Sequence, residues 1–195
     1  MGYAISWIAF KDKGAVETAE LLALSPSAEF EDAPRSMFSG VRLDSGWYLV
    51  VIKKCEHKFV REPALRRVSA AADVVAAAIE EHVMFSTAEA WKNGHRTWKV
   101  THESESGPRH LKELGSLPDA YRSVKGRLLA AQQHEDEGAR EVDHIFDVPL
   151  ELAEAIVGFK HDKELDARFE ILKPKAPGLG DGLLSRLFRK TRELR

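Results

Sequence analysis

Cysteine and an excess of charge of one sign are what this sequence most clearly lacks. Among 195 residues there is a single cysteine, Cys55, so no internal disulfide can form, which favours a reducing cytoplasm as the setting. The formal net charge is only −2. Proteins that bind nucleic acid through overall charge carry a basic excess, so no nucleic-acid partner is predicted.

Long apolar runs and the short signatures of common enzymes are also missing. No segment approaches the roughly 20 apolar residues that cross a bilayer, and the first residues do not resemble a signal peptide. Walker loops, dinucleotide-binding loops, nucleophile elbows, HExxH zinc sites and EF-hands are absent, and the glycines at 178–182 have none of these spacings. We therefore predict a non-enzymatic cytoplasmic protein with no catalytic residue, cofactor or metal site.

What is present is an alternation of strand and helix signals over the first 82 residues. Apolar, β-branched runs predict strands, while helical spacing and a proline start predict helices. The predicted elements are strand 3–10, helix 15–24, a hairpin of strands 37–43 and 47–53, a short helix from Pro63, and strand 73–82. This order is that of the ferredoxin-like split βαβ unit, with residues 25–36 as a long loop.

The rest of the chain predicts an extension of the same domain. The predicted elements are a β-hairpin within 84–102, a helix over 117–133, strand 142–146, a helix that Asp147 caps and Gly158 ends, and strand 168–174. With 44% hydrophobic residues, the chain can bury one substantial core. We predict a single α+β domain over residues 1–173, with a mainly antiparallel sheet, a ferredoxin-like core extended by the hairpin, and helices packed on one face.

The hairpin signal is Asn93-Gly94 in the stretch IEEHVMFSTAEAWKNGHRTWKVTHE. A type I′ turn requires positive φ at both central positions, which this dipeptide tolerates. With a two-residue loop, the predicted cross-strand pairs are Trp91 with Arg96, Glu89 with Trp98, Thr87 with Val100 and Phe85 with His102. All eight side chains then lie on the same face of the sheet.

The candidate binding site follows from this register. Trp91 and Trp98 share a face, and Glu89 lies diagonal to Arg96 near the tip of the hairpin. One interpretation is that the aromatic rings pack against the helix at 117–133, with an ion pair beside them. The other is that these four residues form an anchor for a protein partner, because tryptophan and arginine are typical of binding hot spots.

An enzyme is the first alternative, with Glu81, His102 and Cys55 as the candidate residues of a cleft. The hairpin register places Glu81 about 13 Å from the cross-strand neighbour of His102, too far for an acid–base pair. His82 faces away from His102, so the two histidines do not predict a metal site. Cys55 and His57 are predicted to be a loop thiol and a solvated imidazole, without a third group that would orient a base.

The C-terminal segment is the second candidate site. Residues 174–182 are predicted to be a Pro/Gly linker, and residues 183–195 a basic amphipathic helix with a net charge of about +4 from Gly182 onward, against about −6 for the rest. Its candidate contact residues are Leu184, Arg186, Leu187, Phe188, Arg189 and Lys190. Such a helix binds an anionic membrane surface or a partner groove, or docks on the acidic body of its own chain.

Four segments of the chain resemble a family of bacterial hypothetical proteins. They are EEHVMFS at 80–86, the W-x-x-G-x-x-x-W-x-V-x-H pattern from Trp91 to His102, VDHIFDVP at 142–149 and GFKHD at 158–162. The resemblance covers roughly residues 3–162. Because that family has no established activity, it implies a bacterial cytoplasmic source and supplies no catalytic residues.

These observations predict a protein-binding module, either immunity-like or a regulatory adaptor. The partner is a protein of unspecified identity, the oligomeric state stays open, and the predicted surface is that of Glu89, Trp91, Arg96 and Trp98. The alternatives are an enzyme with a Glu/His/Cys cleft and a peripheral membrane protein attached through residues 183–195.

Overall fold

The computed structural model of the protein describes residues 2–138 and 142–175. The described strands are β1 (Ala4–Lys11), β2 (Leu24–Glu31), β3 (Phe38–Arg42), β4 (Trp47–Ile52), β5 (Val74–Glu80), β6 (Phe85–Lys92), β7 (His95–Glu103), β8 (Lys112–Gly115) and β9 (Phe169–Pro174). The helices are α1 (Ala15–Leu21), α2 (Glu62–Val68), α3 (Ala120–Asp136) and α4 (Asp147–Val157). None of the helices in these ranges is long and apolar enough to cross a membrane.

All nine strands belong to one antiparallel sheet, in the order β2-β9-β3-β4-β1-β5-β6-β7-β8. The central strand β1 pairs with β4 on one side and β5 on the other, so that Trp7 lies between Val51 and Ala77. The predicted α+β class with a mainly antiparallel sheet is therefore confirmed. The described part of the chain ends just after β9, at Lys175, so only Pro174 and Lys175 of the predicted linker are described. The candidate residues of the predicted C-terminal helix lie outside the described residues; they are Leu184, Arg186, Leu187, Phe188, Arg189 and Lys190.

The sheet is covered by helices on both faces. One core cluster joins Trp7 and other side chains of the sheet to buried residues of α3 and α4, including Leu128 and Leu152. The other cluster joins Phe10 on the opposite face to Leu65 of α2 and to α1. The prediction that helices pack on one face is wrong, because β1 is apolar at alternate and intervening positions and both of its faces need a cover.

Three local predictions also differ from the structure. The predicted loop at 25–36 contains β2, an edge strand in which Pro26 needs no ladder donor and Ala28 has a positive φ of 61° at a register shift. The predicted strand at 142–146 is a turn that leads into α4. The four-residue strand β8 was not predicted, because its exposed residues carry no apolar alternation.

Candidate functional site

The hairpin of β6 and β7 has the predicted turn but not the predicted register. Asn93 and Gly94 have φ values of 51° and 76°, as a type I′ turn requires. Trp91 pairs with Arg96 at the tip, but the next pair is Ala90 with Trp98, so Thr97 is an extra residue that forms a β-bulge. Every pair beyond the bulge is shifted by one residue from the prediction.

This bulge places the two tryptophans on opposite faces of the sheet. Trp98 joins the cluster that includes Tyr121 and Leu128 of α3, whereas Trp91 joins the cluster that includes Leu65 of α2. Trp91 is 2% exposed and Trp98 is 5% exposed. The prediction that both indole rings share one face is wrong, and neither ring is presented to a partner in this structure. The packing interpretation, in which the aromatics lie against the 117–133 helix, holds for Trp98.

Three of the four predicted site residues nevertheless meet, in a buried polar network. The Glu89 carboxylate accepts hydrogen bonds from Trp91 Nε1 and Arg96 Nε, each at 2.7 Å, and Lys99 Nζ lies 3.5 Å away. Arg96 also reaches Glu62 at 3.1 Å, and its guanidinium lies over the Trp91 ring at 4.7 Å. Because Glu89 is only 5% exposed and fully partnered, this network joins β6, β7 and α2 rather than offering a free charge.

Cys55 and His57 do not form a reactive pair. Burial, together with Glu56 and Glu80, raises the pKa of the Cys55 thiol to about 11, so the thiol is protonated at neutral pH. His57 instead caps the 3-10 turn Lys58–Val60: its Nδ1 accepts a hydrogen bond from the Phe59 amide, and burial lowers the pKa of its ring. The enzyme alternative therefore loses Cys55 as a nucleophile.

The strongest candidate site lies at one end of the sheet, on either side of the 3-10 turn Glu81–Val83. On one side a cleft of about 570 Å³, here called the histidine cleft, is lined by His82, His161 and four carboxylates, those of Glu81, Asp143, Asp147 and Asp162. On the other side a cleft of about 470 Å³, here called the glutamate cleft, is lined by Cys55 and by Glu56, Glu80, Glu103 and Glu105. Neither cleft has a lysine or arginine in its lining.

One carboxylate of the histidine cleft is held by a fully buried histidine. His102, at the end of β7, donates from Nδ1 to the His110 carbonyl at 2.8 Å, and its Nε2 lies 3.1 Å from Asp143 Oδ2, with its N–H off the line to that oxygen. Because a carbonyl only accepts, Nδ1 carries a proton, and the carboxylate beside Nε2 favours the protonated form of the ring. Burial lowers the pKa of His102, but Asp143 and the His110 carbonyl outweigh it and raise the pKa overall.

The same contact defines Asp143. Its Oδ1 accepts hydrogen bonds from the Ile145 and Phe146 amides, and burial, which would raise its pKa, is outweighed by His102 and these amides. Asp143 thus stays ionised at the lip of the cleft and fixes the turn that leads into α4. The predicted capping residue Asp147 makes no capping hydrogen bond, so that prediction is wrong.

Asp147 instead belongs to a second charged group. Lys160 lies between Asp147 and Asp162, at 3.0 Å from an oxygen of each, and its side chain is buried. Burial opposes the charge on Lys160, but the two carboxylates raise the pKa of its ammonium above the usual value. Lys160 therefore joins the start of α4 to the segment that follows it, through two carboxylates that line the cleft.

The third group is a carboxylate–histidine pair. Glu81 Oε1 lies 3.2 Å from His161 Nε2, and Glu81 Oε2 accepts the Tyr3 amide at 2.7 Å. The Tyr3 ring stands edge-on to His161, with centroids 4.9 Å apart at 89°. The His161 side chain is 2% exposed, and its Nδ1 has no hydrogen-bond partner among the described residues.

The sequence predicted some of these residues and missed their partners. Glu81 and His102 do lie at the same end of the sheet, but each pairs with a residue of the 142–162 segment and not with the other. The sequence does not predict that Asp143 and His161 are their partners, since no spacing rule connects positions separated by 41 and 80 residues. Within residues 2–138 and 142–175, no group of three or more His, Cys, Asp or Glu side chains is arranged to hold a metal ion.

The fold and this site define an α+β protein with a nine-stranded antiparallel sheet and an acidic end. The chain matches no protein-family model, and no significant match was found among curated proteins or solved structures. The resemblance to a bacterial protein family therefore stays a prediction.

Proposed function

We propose that this protein is a non-enzymatic protein-binding module that takes a lysine-rich segment of a partner at the acidic end of its sheet. The observation that carries the proposal is the pair of clefts beside the turn Glu81–Val83, which are lined by carboxylates without a lysine or arginine. The proposal keeps the class of function that the sequence predicted, as an immunity-like protein or regulatory adaptor, and moves the surface away from Trp91 and Trp98.

The carboxylates of the histidine cleft have internal partners, whereas two of those in the glutamate cleft form no ion pair among the described residues. Those of the histidine cleft are already oriented by internal partners, so their positions are fixed before a ligand binds. In the glutamate cleft, Glu56 and Glu105 are exposed and form no ion pair among the described residues. Unpaired carboxylates at a rim speed association with a cationic partner and set its orientation.

Two apolar side chains complete the surface. Val83, in the lining of the glutamate cleft, is 50% exposed, and Val142, in the lining of the histidine cleft, is 49% exposed. Protein interfaces combine an apolar centre with a polar rim, and these two valines supply apolar contact beside the charges.

A labelled peptide of alternating lysine and glycine, about 12 residues long, tests the proposal by fluorescence anisotropy. The variant Glu56→Gln/Glu105→Gln removes two charges from the glutamate cleft without breaking an ion pair of the described chain. We expect it to weaken binding roughly tenfold at low salt, about 0.7 kcal/mol for each charge. The matched control is Glu20→Gln/Asp44→Asn, two exposed acids in α1 and in the β3–β4 turn. Equal weakening by both variants, or no binding of the peptide, would refute the proposal.

Acid–base catalysis in the histidine cleft is the alternative function. The Glu81–His161 pair favours it, because a carboxylate that orients an imidazole and leaves one ring nitrogen unpartnered is typical of a general base. Turnover of a chromogenic ester that the His161→Phe variant abolishes would support this alternative. The third possibility, a membrane surface bound through residues 183–195, is tested by liposome co-sedimentation of the full chain against a chain truncated at Gly178.

We also propose a finer description of the fold and setting. The order β3-β4-β1-β5 and the shared core cluster of α1 and α2 support a ferredoxin-like unit in which β2 is an addition between α1 and β3. The single cysteine supports the cytoplasm as the setting.

A further inference from the structure

His161 is a group of the acidic end whose hydrogen bonds are incomplete among the described residues. Its side chain is 2% exposed, lines the histidine cleft, and leaves Nδ1 buried without a partner in the described part of the chain. A buried polar atom without a partner costs about 1–3 kcal/mol relative to one that is satisfied. This position is therefore one where a ligand gains by supplying the missing partner.

The contacts of the His161 ring place a proton on Nε2. Glu81 is a carboxylate that only accepts hydrogen bonds, and one of its oxygens lies 3.2 Å from Nε2, so Nε2 is the donor. A proton on Nδ1 as well would be a buried donor with no acceptor. Nδ1 therefore carries a lone pair and requires a donor from the ligand.

The ring is held in place by its chain neighbours. Phe159 is buried and stands edge-on to Trp7 in the core, and Lys160 is fixed between Asp147 and Asp162. The Tyr3 ring lies against the imidazole itself. Because these contacts fix the imidazole before binding, little conformational entropy is lost when a ligand engages it.

We infer that His161 is the specificity-determining residue of the acidic end and that its Nδ1 accepts a hydrogen bond from a primary ammonium group, that of a lysine side chain of the partner segment. This inference rests on the proposed function and names its key contact. The carboxylates of Glu81, Asp143 and Asp162 line the same cleft and balance the positive charge. A single acceptor nitrogen in a cleft lined by carboxylates suits the three diverging donors of an ammonium better than the planar fork of a guanidinium.

Two variants separate the role of the ring nitrogen from the shape of the ring. His161→Phe keeps an aromatic ring and removes both nitrogens. In Glu81→Gln, the amide oxygen has to accept the Tyr3 amide, so the amide nitrogen faces Nε2 of His161. Nε2 then becomes the acceptor, the proton moves to Nδ1, and the acceptor for the ligand is lost while the ring stays.

The experiment compares the lysine–glycine peptide with the same peptide carrying arginine at every lysine position. We expect both variants to weaken the lysine peptide at least tenfold, as the loss of a hydrogen bond to a charged group does, and to change the arginine peptide much less. The control is His134→Phe, an exposed position on α3, which leaves both affinities unchanged. Nitrogen-15 spectra of the histidine rings report the tautomer directly, and the Nδ1 signal of His161 should move when the lysine peptide is added.

The outcomes distinguish this inference from the proposed function. If Glu56→Gln/Glu105→Gln weakens binding and His161→Phe does not, the acidic end binds the partner but His161 does not select its ammonium group, and the inference is wrong. A proton on Nδ1 in the free protein, or equal losses for the lysine and arginine peptides, would also overturn it. If no variant changes binding, the proposed function fails as well.

Discussion

Replacing Glu89 by alanine tests whether the predicted hairpin site is a structural network. Glu89 is nearly buried between β6 and α2, and its carboxylate is the shared acceptor for Trp91, Arg96 and Lys99. Removing it leaves the Trp91 N–H buried without an acceptor and leaves the positive charges facing a small void. Since Arg96 keeps its contact with Glu62, its charge is not left wholly uncompensated.

The expected loss follows from these contacts. A buried donor without an acceptor costs about 1–3 kcal/mol, and breaking a buried ion pair costs about 3–5 kcal/mol. The Arg96 side chain is 28% exposed and keeps one carboxylate partner, so the lower part of that range applies. We expect Glu89→Ala to lower the free energy of unfolding by about 3 kcal/mol, which corresponds to a fall in Tm of roughly 6–12 °C for a chain of this size.

Urea unfolding followed by circular dichroism and tryptophan fluorescence measures this loss. The matched variant is Glu62→Gln, which changes the exposed end of the same network and should cost only a small part of the loss in Glu89→Ala. Glu89→Gln should lie between the two, because its amide oxygen still accepts one of the hydrogen bonds. A loss below about 1 kcal/mol in Glu89→Ala, or one equal to that of Glu62→Gln, would contradict the structural role.

Three further predictions follow from the described contacts. The raised pKa of His102 stabilises the fold fully at pH values below the pKa of the unfolded ring, and this contribution is lost as the pH rises through the folded pKa. The difference in unfolding free energy between the native chain and His102→Gln, measured by urea titration, should therefore shrink from pH 6 to pH 9. A constant difference would contradict this prediction. Gly40→Ala should destabilise the protein by about 1–3 kcal/mol, because its Cβ would lie 2.3 Å from the Tyr48 hydroxyl. In a double-mutant cycle, Tyr48→Phe should recover part of that loss. If the changes in unfolding free energy of the two single variants simply add in the double variant, the contact is refuted. The thiol of Cys55, with a pKa of about 11, should react with a disulfide reagent at pH 7.5 far more slowly than free glutathione, and an equal rate would show that the thiol is not shielded.

Local patterns in the sequence were sufficient to predict most strands of the sheet. Strands β1, β4 and β5 are continuous apolar runs, and they occupy the centre of the sheet, where both faces are buried. The turn at Asn93-Gly94 has the predicted backbone conformation because positive φ at both positions is a property of those residue types. These features depend on residues close together in the chain, which is why the sequence alone predicts them.

The candidate site depends on contacts that no local pattern contains. The Glu81–His161 pair joins residues 80 positions apart, and Lys160 joins two carboxylates on either side of α4. Each of these residues, read singly, resembles an ordinary surface residue or helix cap. They become a site only because α4 packs on the sheet and the chain after it returns to Tyr3, at the start of β1.

A single extra residue explains the largest error of the sequence-based prediction. Thr97 is inserted between Arg96 and Trp98, and its hydroxyl donates to the Ala90 carbonyl at 3.1 Å, which holds the bulge in place. The Thr97 carbonyl accepts the Ser116 amide, and a Cβ at Gly115 would lie 2.1 Å from that carbonyl oxygen, so β8 approaches the bulge closely only because residue 115 is a glycine. Because side chains alternate along a strand, this one insertion sends Trp98 to the α3 face and leaves Trp91 on the α2 face. The aromatic residues that suggested a binding surface are thereby divided between two cores, and both indole rings are buried.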